Sequence, residues 1–269
     1  MKKDRILLNI CVWIRKTYVK RAGLEWDYPM VKPSLRKIGC LLTLNCVLAA
    51  CATARSRPHY AAVLTNAARP ENERALDAVR KPHEVMAFYG VNNGDKVGDI
   101  SAARGYYTTI LSQLVGPEGL VYAANAAPRP ELHERVKQPS MSNVRILDGP
   151  LDKVALPQDG SLDFVFIHLN YHDLPADTRI AMNRRIFGAL KRGGAYGIVD
   201  HSAREGRGDQ DAKPFHRIDK TLVVKEATSV GFGLDGEGTM LSRSDDTRDF
   251  SVTKLRDRSD RFVLKFKKP

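Results

Sequence analysis

The chain runs out of cysteine early. All four cysteines, Cys11, Cys40, Cys46 and Cys51, lie in the first fifth of its 269 residues. Everything after residue 51 is therefore without a disulfide, a thiolate metal site or a cysteine nucleophile, and such a body can work in either redox compartment. Long apolar runs are also scarce. The uncharged stretch from Ile38 to Ala54 falls short of the ~20 residues that a spanning helix needs. A basic stripe interleaved with aromatics is missing too, although the formal net charge is +12. Residues 1–50 hold ten Lys/Arg against three Asp/Glu, and the rest hold 33 against 28. The body is only mildly basic, so nucleic acid is not expected as a partner. What is present, 43% hydrophobic and 28% charged residues, suffices for a packed core. At roughly 100–200 residues per domain, one large domain with an appendage fits the length.

The appendage is N-terminal. Arg36 and Lys37 precede the uncharged run, Arg55 follows it, and it ends in Leu48-Ala49-Ala50-Cys51. That ending resembles the lipobox of bacterial lipoproteins, in which small residues fit the signal peptidase and the cysteine takes the lipid. The resemblance implies lipidation at Cys51, a membrane partner through that anchor, and a place on the periplasmic face of the cell envelope. An uncleaved anchor and a buried helix of a cytoplasmic domain are the alternatives. Counted back from Cys51, Met30 with Lys32, Arg36 and Lys37 would open a compact signal of the usual 15–30 residues, which makes Met30 the expected start. Residues 1–51 are thus read as a signal segment, 52–81 as a tether and first helix, and 82–269 as the main domain.

Beyond Pro82, strand-like and helix-like stretches alternate, as in an α/β fold with a parallel sheet. Strands are expected at 96–100, 119–124, 144–147, 162–169, 195–199 and 261–266. Helices are expected at 106–115, 130–137, 178–190, the last ending at Gly193-Gly194, and 219–230, stopping at Gly231. Helical character also runs from Glu71 to Val91, with Pro82 able to open a second helix at its first turn.

The informative stretch is Gly94-Asp95-Lys96-Val97-Gly98-Asp99-Ile100-Ser101-Ala102-Ala103-Arg104-Gly105-Tyr106-Tyr107. A strand ends in an acid, a loop of small residues follows, and a helix opens at once. Small side chains let the backbone approach an adenosine-bearing ligand, and the helix N-terminus offers free N–H groups. A second strand ends at Asn125, 26 residues past Asp99, near the position ~20 residues past the loop where a nucleoside-binding fold contacts ribose. Asp148 and Asp152 follow a third strand, and Asn170-Tyr171-His172-Asp173 a fourth. Residues at the carboxyl ends of parallel strands gather at one crevice.

From Pro82 to Pro269 the sequence resembles class I S-adenosylmethionine-dependent methyltransferases, and in particular a bacterial group that is often exported. The marks are Arg104-Gly105-Tyr106-Tyr107, Asn170-Tyr171-His172-Asp173, Val199-Asp200-His201-Ser202 and Asp260-Arg261-Phe262-Val263-Leu264-Lys265-Phe266. The resemblance implies a Rossmann-like α/β fold, with helices on both faces of a seven-stranded, mostly parallel sheet whose last strand is antiparallel. It implies S-adenosylmethionine as cofactor. Asp99, Ala103 and Gly105 would border the methionine part, with Ser101 in the same loop and Tyr107 or Tyr106 covering it. Asn125 would face the ribose, Asp148 with Leu151 the adenine, and Asn170 the cofactor from the fourth strand. Three departures stand out. Ser101 and Ala103 occupy positions where glycine is common, Asn125 replaces an acid, and Arg192 replaces a proline before the glycine pair.

His172, Asp173, Asp200 and His201 form two acid–histidine pairs near one rim. His172 or His201 could act as base if the acceptor must lose a proton, while Asp173 suits a helix N-cap. The same four residues match no recognised metal-ligand spacing, and no metal is assigned. His168, inside an apolar strand, is expected to be a satisfied core histidine; His216, opening the next helix, is expected to line the acceptor pocket, and residues 243–261 are expected to form a solvated loop. The expected activity is methyl transfer to a small-molecule acceptor. The alternative is a tethered binding protein that kept the fold and lost the reaction.

Overall fold

The computed structural model describes residues 60–66, 69–255 and 258–269. The signal-type segment, Cys51 and the start expected at Met30 lie outside them. Among the described residues no helix is long and apolar enough to cross a membrane.

Seven strands form one sheet: β1 Lys96–Ile100, β2 Leu120–Asn125, β3 Val144–Asp148, β4 Leu162–His168, β5 Leu190–His201, β6 Gly233–Gly238 and β7 Arg261–Lys267. Their order is β3-β2-β1-β4-β5-β7-β6. The first five run parallel, and β7 lies antiparallel between β5 and β6. This is the expected seven-stranded arrangement. The longer helices are α1 Pro82–Tyr89, α2 Tyr106–Val115, α3 Pro130–Arg135, α4 Ala176–Ala189 and α5 Lys220–Ser229.

Period-two alternation sends neighbouring strand residues to opposite faces. In β4, Phe164 and Phe166 enter one apolar cluster while Val165 and Ile167 enter the other. Helices α1 and α2 cover the first face through Val85, Met86, Tyr89, Ile110, Leu111 and Leu114. Met182 and Ile186 of α4, with Val223 and Ala227 of α5, cover the second. A buried Val, Leu, Ile or Met side chain among these contributes ~1.5–3 kcal/mol relative to exposure, and a sheet buried on both faces explains the near-continuous apolar run of β4.

Three regions differ from the sequence expectations. Helix α4 stops at Ala189, and the chain enters β5 before the glycine pair. A Cβ on Gly194 would lie 2.8 Å from the Lys191 carbonyl oxygen and 3.2 Å from that of Leu162; the glycines serve the strand and not a helix end. Strand β6 is not apparent from its residues because three of its six are glycine, and among the described residues it pairs with β7 alone. Residues 60–66 and 69–81, placed by sequence outside the main domain, pack against it. The Tyr60 hydroxyl donates to the Val91 carbonyl (2.8 Å), Val63 and Leu64 sit on the first cluster, and Arg69 is buried against Asp77.

In this strand order β1 pairs with β2 on one side and β4 on the other, so the connections after β1 and β4 diverge. Such a switch point leaves a crevice at the carboxyl ends.

Candidate active site

The crevice is a cleft of about 400 Å³, within the size range of small-molecule sites. Its walls come from the loop after β1, the start of α2, the end of β4 with the following loop, the end of β5, and His216, Val252 and Thr253. Of the residues singled out by sequence it gathers Asp99, Ser101, Ala103, Tyr106, Tyr107, His168, Asn170, His172, Asp173, His201 and His216. Gly105, Asn125, Asp148 and Leu151 are not among its lining residues.

The loop after β1 is held by backbone geometry. Ser101 and Ala103 have φ of 56° and 51°, and Gly105 has 93°. The first two positions thus adopt the left-handed conformation that glycine takes freely, although neither is glycine. At Gly105 a Cβ would meet Leu132 Cδ1 at 2.8 Å, so the glycine there is required by space as well as by φ. It leads directly into α2, whose N-terminus no side chain caps. Asn125 closes the loop from the neighbouring strand. Its Oδ1 accepts the Ala103 N–H (2.8 Å) and its Nδ2 donates to the Ala103 carbonyl (3.2 Å). Both ends of the amide are thereby used on the backbone of one residue. Asn125 is thus a loop latch, and a carboxylate, having no donor, could not make both bonds.

Asp99 is buried at the end of β1 and accepts from the Thr108 hydroxyl (2.6 Å). Burial pushes its carboxyl up to about 7, against the smaller opposing effect of Thr108. Leu151 is in the core, and Asp148 pairs with His133 (2.6 Å); the adenine-side residues expected from the resemblance thus lie away from the cleft.

The cleft interior holds two unsatisfied groups. The Tyr107 hydroxyl and His168 Nε2 are buried without a hydrogen-bond partner among the described residues, and their rings lie 4.6 Å apart. His168 is therefore buried as expected but not satisfied. Desolvation holds its pKa well below the usual value, aided by Arg80 and Arg261, so it is neutral. Burial likewise raises the Tyr107 hydroxyl, keeping it a donor. Orphaned buried polar atoms cost about 1–3 kcal/mol each, and a ligand in the cleft would satisfy them.

The opposite rim is charged. His172 donates from Nδ1 to Asp200 Oδ1 (2.7 Å), and its backbone N–H donates to Asp200 Oδ2 (2.8 Å). Asp200, fully buried, also accepts the His201 N–H (2.7 Å). The far side of the ring, Nε2, faces Asp173 at 3.2 Å, and Asp173 faces His216 Nδ1 at 3.4 Å. Burial opposes a charge on His172, but Asp200 and Asp173 outweigh it and raise its pKa to about 10. The His172 contact in turn lowers Asp173 to about 2. Both ring nitrogens of His172 thus face carboxylates, Nδ1 that of Asp200 and Nε2 that of Asp173. Asp173 does not cap α4, whose N-cap position is Pro175. His201 Nδ1 lies 2.8 Å from Ser259 Oγ, and its ring centroid 6.0 Å from that of His172.

Sequence reasoning missed the contribution of residues 243–261. That stretch supplies Val252 and Thr253 to the cleft and Asp246 to Arg217, a pair in which neither side chain is exposed. The alternating charges read as a solvated loop, and only the folded chain shows that Arg217 stands opposite.

No family profile matches the chain. Over 114 residues it is 35% identical to the demethylmenaquinone methyltransferase of Staphylococcus aureus (strain JH9), a match covering 41% of this chain and 44% of that protein. The chain therefore spans less than half the length of the curated relatives it matches. Among solved structures, a SAM-dependent methyltransferase from Aquifex aeolicus superposes with a TM-score of 0.56 at 19% identity, over 75% of this chain and 99% of the other. A [4+2]-cyclase superposes equally, TM-score 0.56 at 14% identity, over 73% and 80%. At these identities the likeness is one of architecture, and with the strand order and the cleft it identifies the described residues as a class I methyltransferase fold.

Proposed function

We propose that the protein transfers a methyl group from S-adenosylmethionine to a small-molecule acceptor held at the charged rim of the cleft. The observation that carries this reading is the meeting, in one cleft at the switch point, of the small-residue loop with Tyr107, His168 and the His172–Asp173 rim. The stretch shared with a methyltransferase at 35% identity supports it. The residues present fit the methionine end of the cofactor. Asp99, Ser101, Ala103 and Tyr107 would hold that portion, and the orphaned Tyr107 hydroxyl and His168 Nε2 gain polar partners there. The ribose end fits less closely, because Asn125 is engaged with Ala103.

When bound, the cofactor supplies an electrophilic methyl group on a sulfonium. The protein's share is then mainly to position the acceptor in line with that methyl. His172, fixed by Asp200, and Asp173 shape the rim against which the acceptor would lie. An acceptor that must lose a proton gives it to His201, oriented by Ser259. Neutral His168 and Tyr107 line the interior and would hold the cofactor there without adding a charge.

A second reading is favoured by the Asn125 latch: a binding protein that keeps the fold without the reaction. The fold itself is shared with a cyclase. Calorimetric titration of the full chain with S-adenosylmethionine and S-adenosylhomocysteine separates the two. Micromolar binding, about −8 kcal/mol, is expected; absence of binding at millimolar ligand in a folded sample would leave the binding-protein reading standing.

Lipidation at Cys51 would place the domain at the bacterial cell envelope. Incorporation of a labelled fatty acid that is lost in Cys51→Ser is the expected result; labelling that survives the substitution would remove the assignment.

A further inference from the structure

The charged rim has a geometry that methyl transfer does not require. Asp173 Oδ1 stands 3.2 Å from His172 Nε2 and 3.4 Å from His216 Nδ1, and the three ligand-type atoms all lie within 4.8 Å of one another. Two ligands on one ion at ~2.0–2.2 Å in tetrahedral geometry stand ~3.3–3.6 Å apart. The two shorter separations approach that spacing without rearrangement of the fold. The donors come from two loops 43 residues apart in sequence, so no local spacing announces them.

A second observation concerns orientation. A metal-binding histidine almost always donates its other ring nitrogen to a carboxylate or carbonyl, which fixes tautomer and ring plane. His172 does this: Nδ1 is tied to the fully buried Asp200, whose other oxygen accepts the His172 backbone N–H. That arrangement turns Nε2 outward to Asp173 and His216. The His172 and His216 rings are almost perpendicular, at 86° with centroids 5.5 Å apart. His216 is delivered from a residue in the left-handed region, φ 55°. A non-glycine residue held there costs energy, and such strain gathers at ligand clamps.

We propose that His172, Asp173 and His216 form a binding site for a divalent transition-metal ion, with Asp200 as its outer-shell support. Two imidazoles and one carboxylate suit Zn²⁺, Fe²⁺ or Mn²⁺ better than the all-oxygen preference of Ca²⁺ or Mg²⁺. Asp173 and His216 are partly exposed and all three residues line the cleft. An ion here keeps positions open for water or a ligand oxygen. The set differs from the one weighed from sequence: His216 joins His172 and Asp173, Asp200 stands behind, and His201 is not among the donors.

The site stands independently of the methyl-transfer reading, because its test measures metal alone. The purified full chain, stripped with a chelator, is titrated with Co²⁺ followed by visible absorption, and with Zn²⁺ against a competing indicator. One ion per chain with ligand-field bands of a low-coordinate site is expected. His216→Ala and Asp173→Ala should each weaken binding by at least ~10-fold, and Asp200→Asn by ~10–100-fold. His83→Ala, a surface histidine beside Glu84, should change nothing. His216 is partly exposed, so its truncation leaves the fold intact by circular dichroism. A folded wild type that takes up no stoichiometric Co²⁺, or takes it up as well without His216 and Asp173, would overturn the assignment. The cluster would then be an ion-pair chain of protein groups only.

Discussion

The two sides of the cleft are built by different means. The loop side, Asp99 to Gly105 with Asn125, is held by backbone conformation and one amide latch. The rim side, His172, Asp173, Asp200 and His216, is held by charged hydrogen bonds between side chains. The loop depends on backbone shape, whereas the rim depends on charged side chains that face one another. Substitutions on the two sides should therefore fail in different ways.

The largest effect is expected from the rim. Asp200→Ala leaves His172 Nδ1 and two backbone N–H groups without their acceptor, which should cost about 3–5 kcal/mol in chemical denaturation. A loss below about 1 kcal/mol would show that the rim is not the rigid side. Next comes the loop latch. Asn125→Ala strips both bonds from the Ala103 backbone and should cost about 1–3 kcal/mol. Asn125→Asp should also destabilise, since it sets a carboxylate against the Ala103 carbonyl. If Asn125→Asp instead leaves stability unchanged and tightens S-adenosylmethionine, the residue faces the ribose after all.

The pH dependence separates the sides by window. Asp99 binds its proton more tightly folded than at its ordinary 3.8, so stability falls as pH rises from there through about 7. His172 is raised from 6.5, so its contribution is complete below that value and is lost as pH rises through about 10. Asp99→Asn should flatten the lower window and leave the upper one, measured by denaturant midpoints across pH. Loss of both windows in that single variant would contradict the separation. The smallest effect is relief of strain. Ser101→Gly and Ala103→Gly should each stabilise by up to about 1 kcal/mol, the left-handed penalty less the added chain entropy of glycine, read as a rise in Tm.

Much of the architecture was legible because periodicity and strand-end chemistry are local. The run from Leu162 and the Asp99–Gly105 turn place β4 and the switch point without a structure. The latch was not legible, since nothing in an asparagine at a strand end tells whether its amide meets a ligand or a neighbouring loop. The place of His216 on the cleft was legible, but its pairing with Asp173 was hidden by distance along the chain, as was the Arg217–Asp246 pair. His168 was half legible: an apolar strand announces burial, but only the cavity beside it leaves Nε2 unsatisfied. Strand β6 was invisible because glycine carries no side chain to pattern.

That same strand bears on how the molecule behaves among copies of itself. A strand paired on one side only offers its free backbone edge to any chain that can extend the sheet, the usual beginning of aggregation. Here the edge is poor in apolar side chains. Leu234 is its one large exposed hydrophobic, and Asp235 lies between the ammonium groups of Lys265 and Lys267. Glycine gives a docking strand nothing to pack against, and the charges penalise a second copy laid alongside. The weak composition that concealed β6 from the sequence thus doubles as protection for the open end of the sheet.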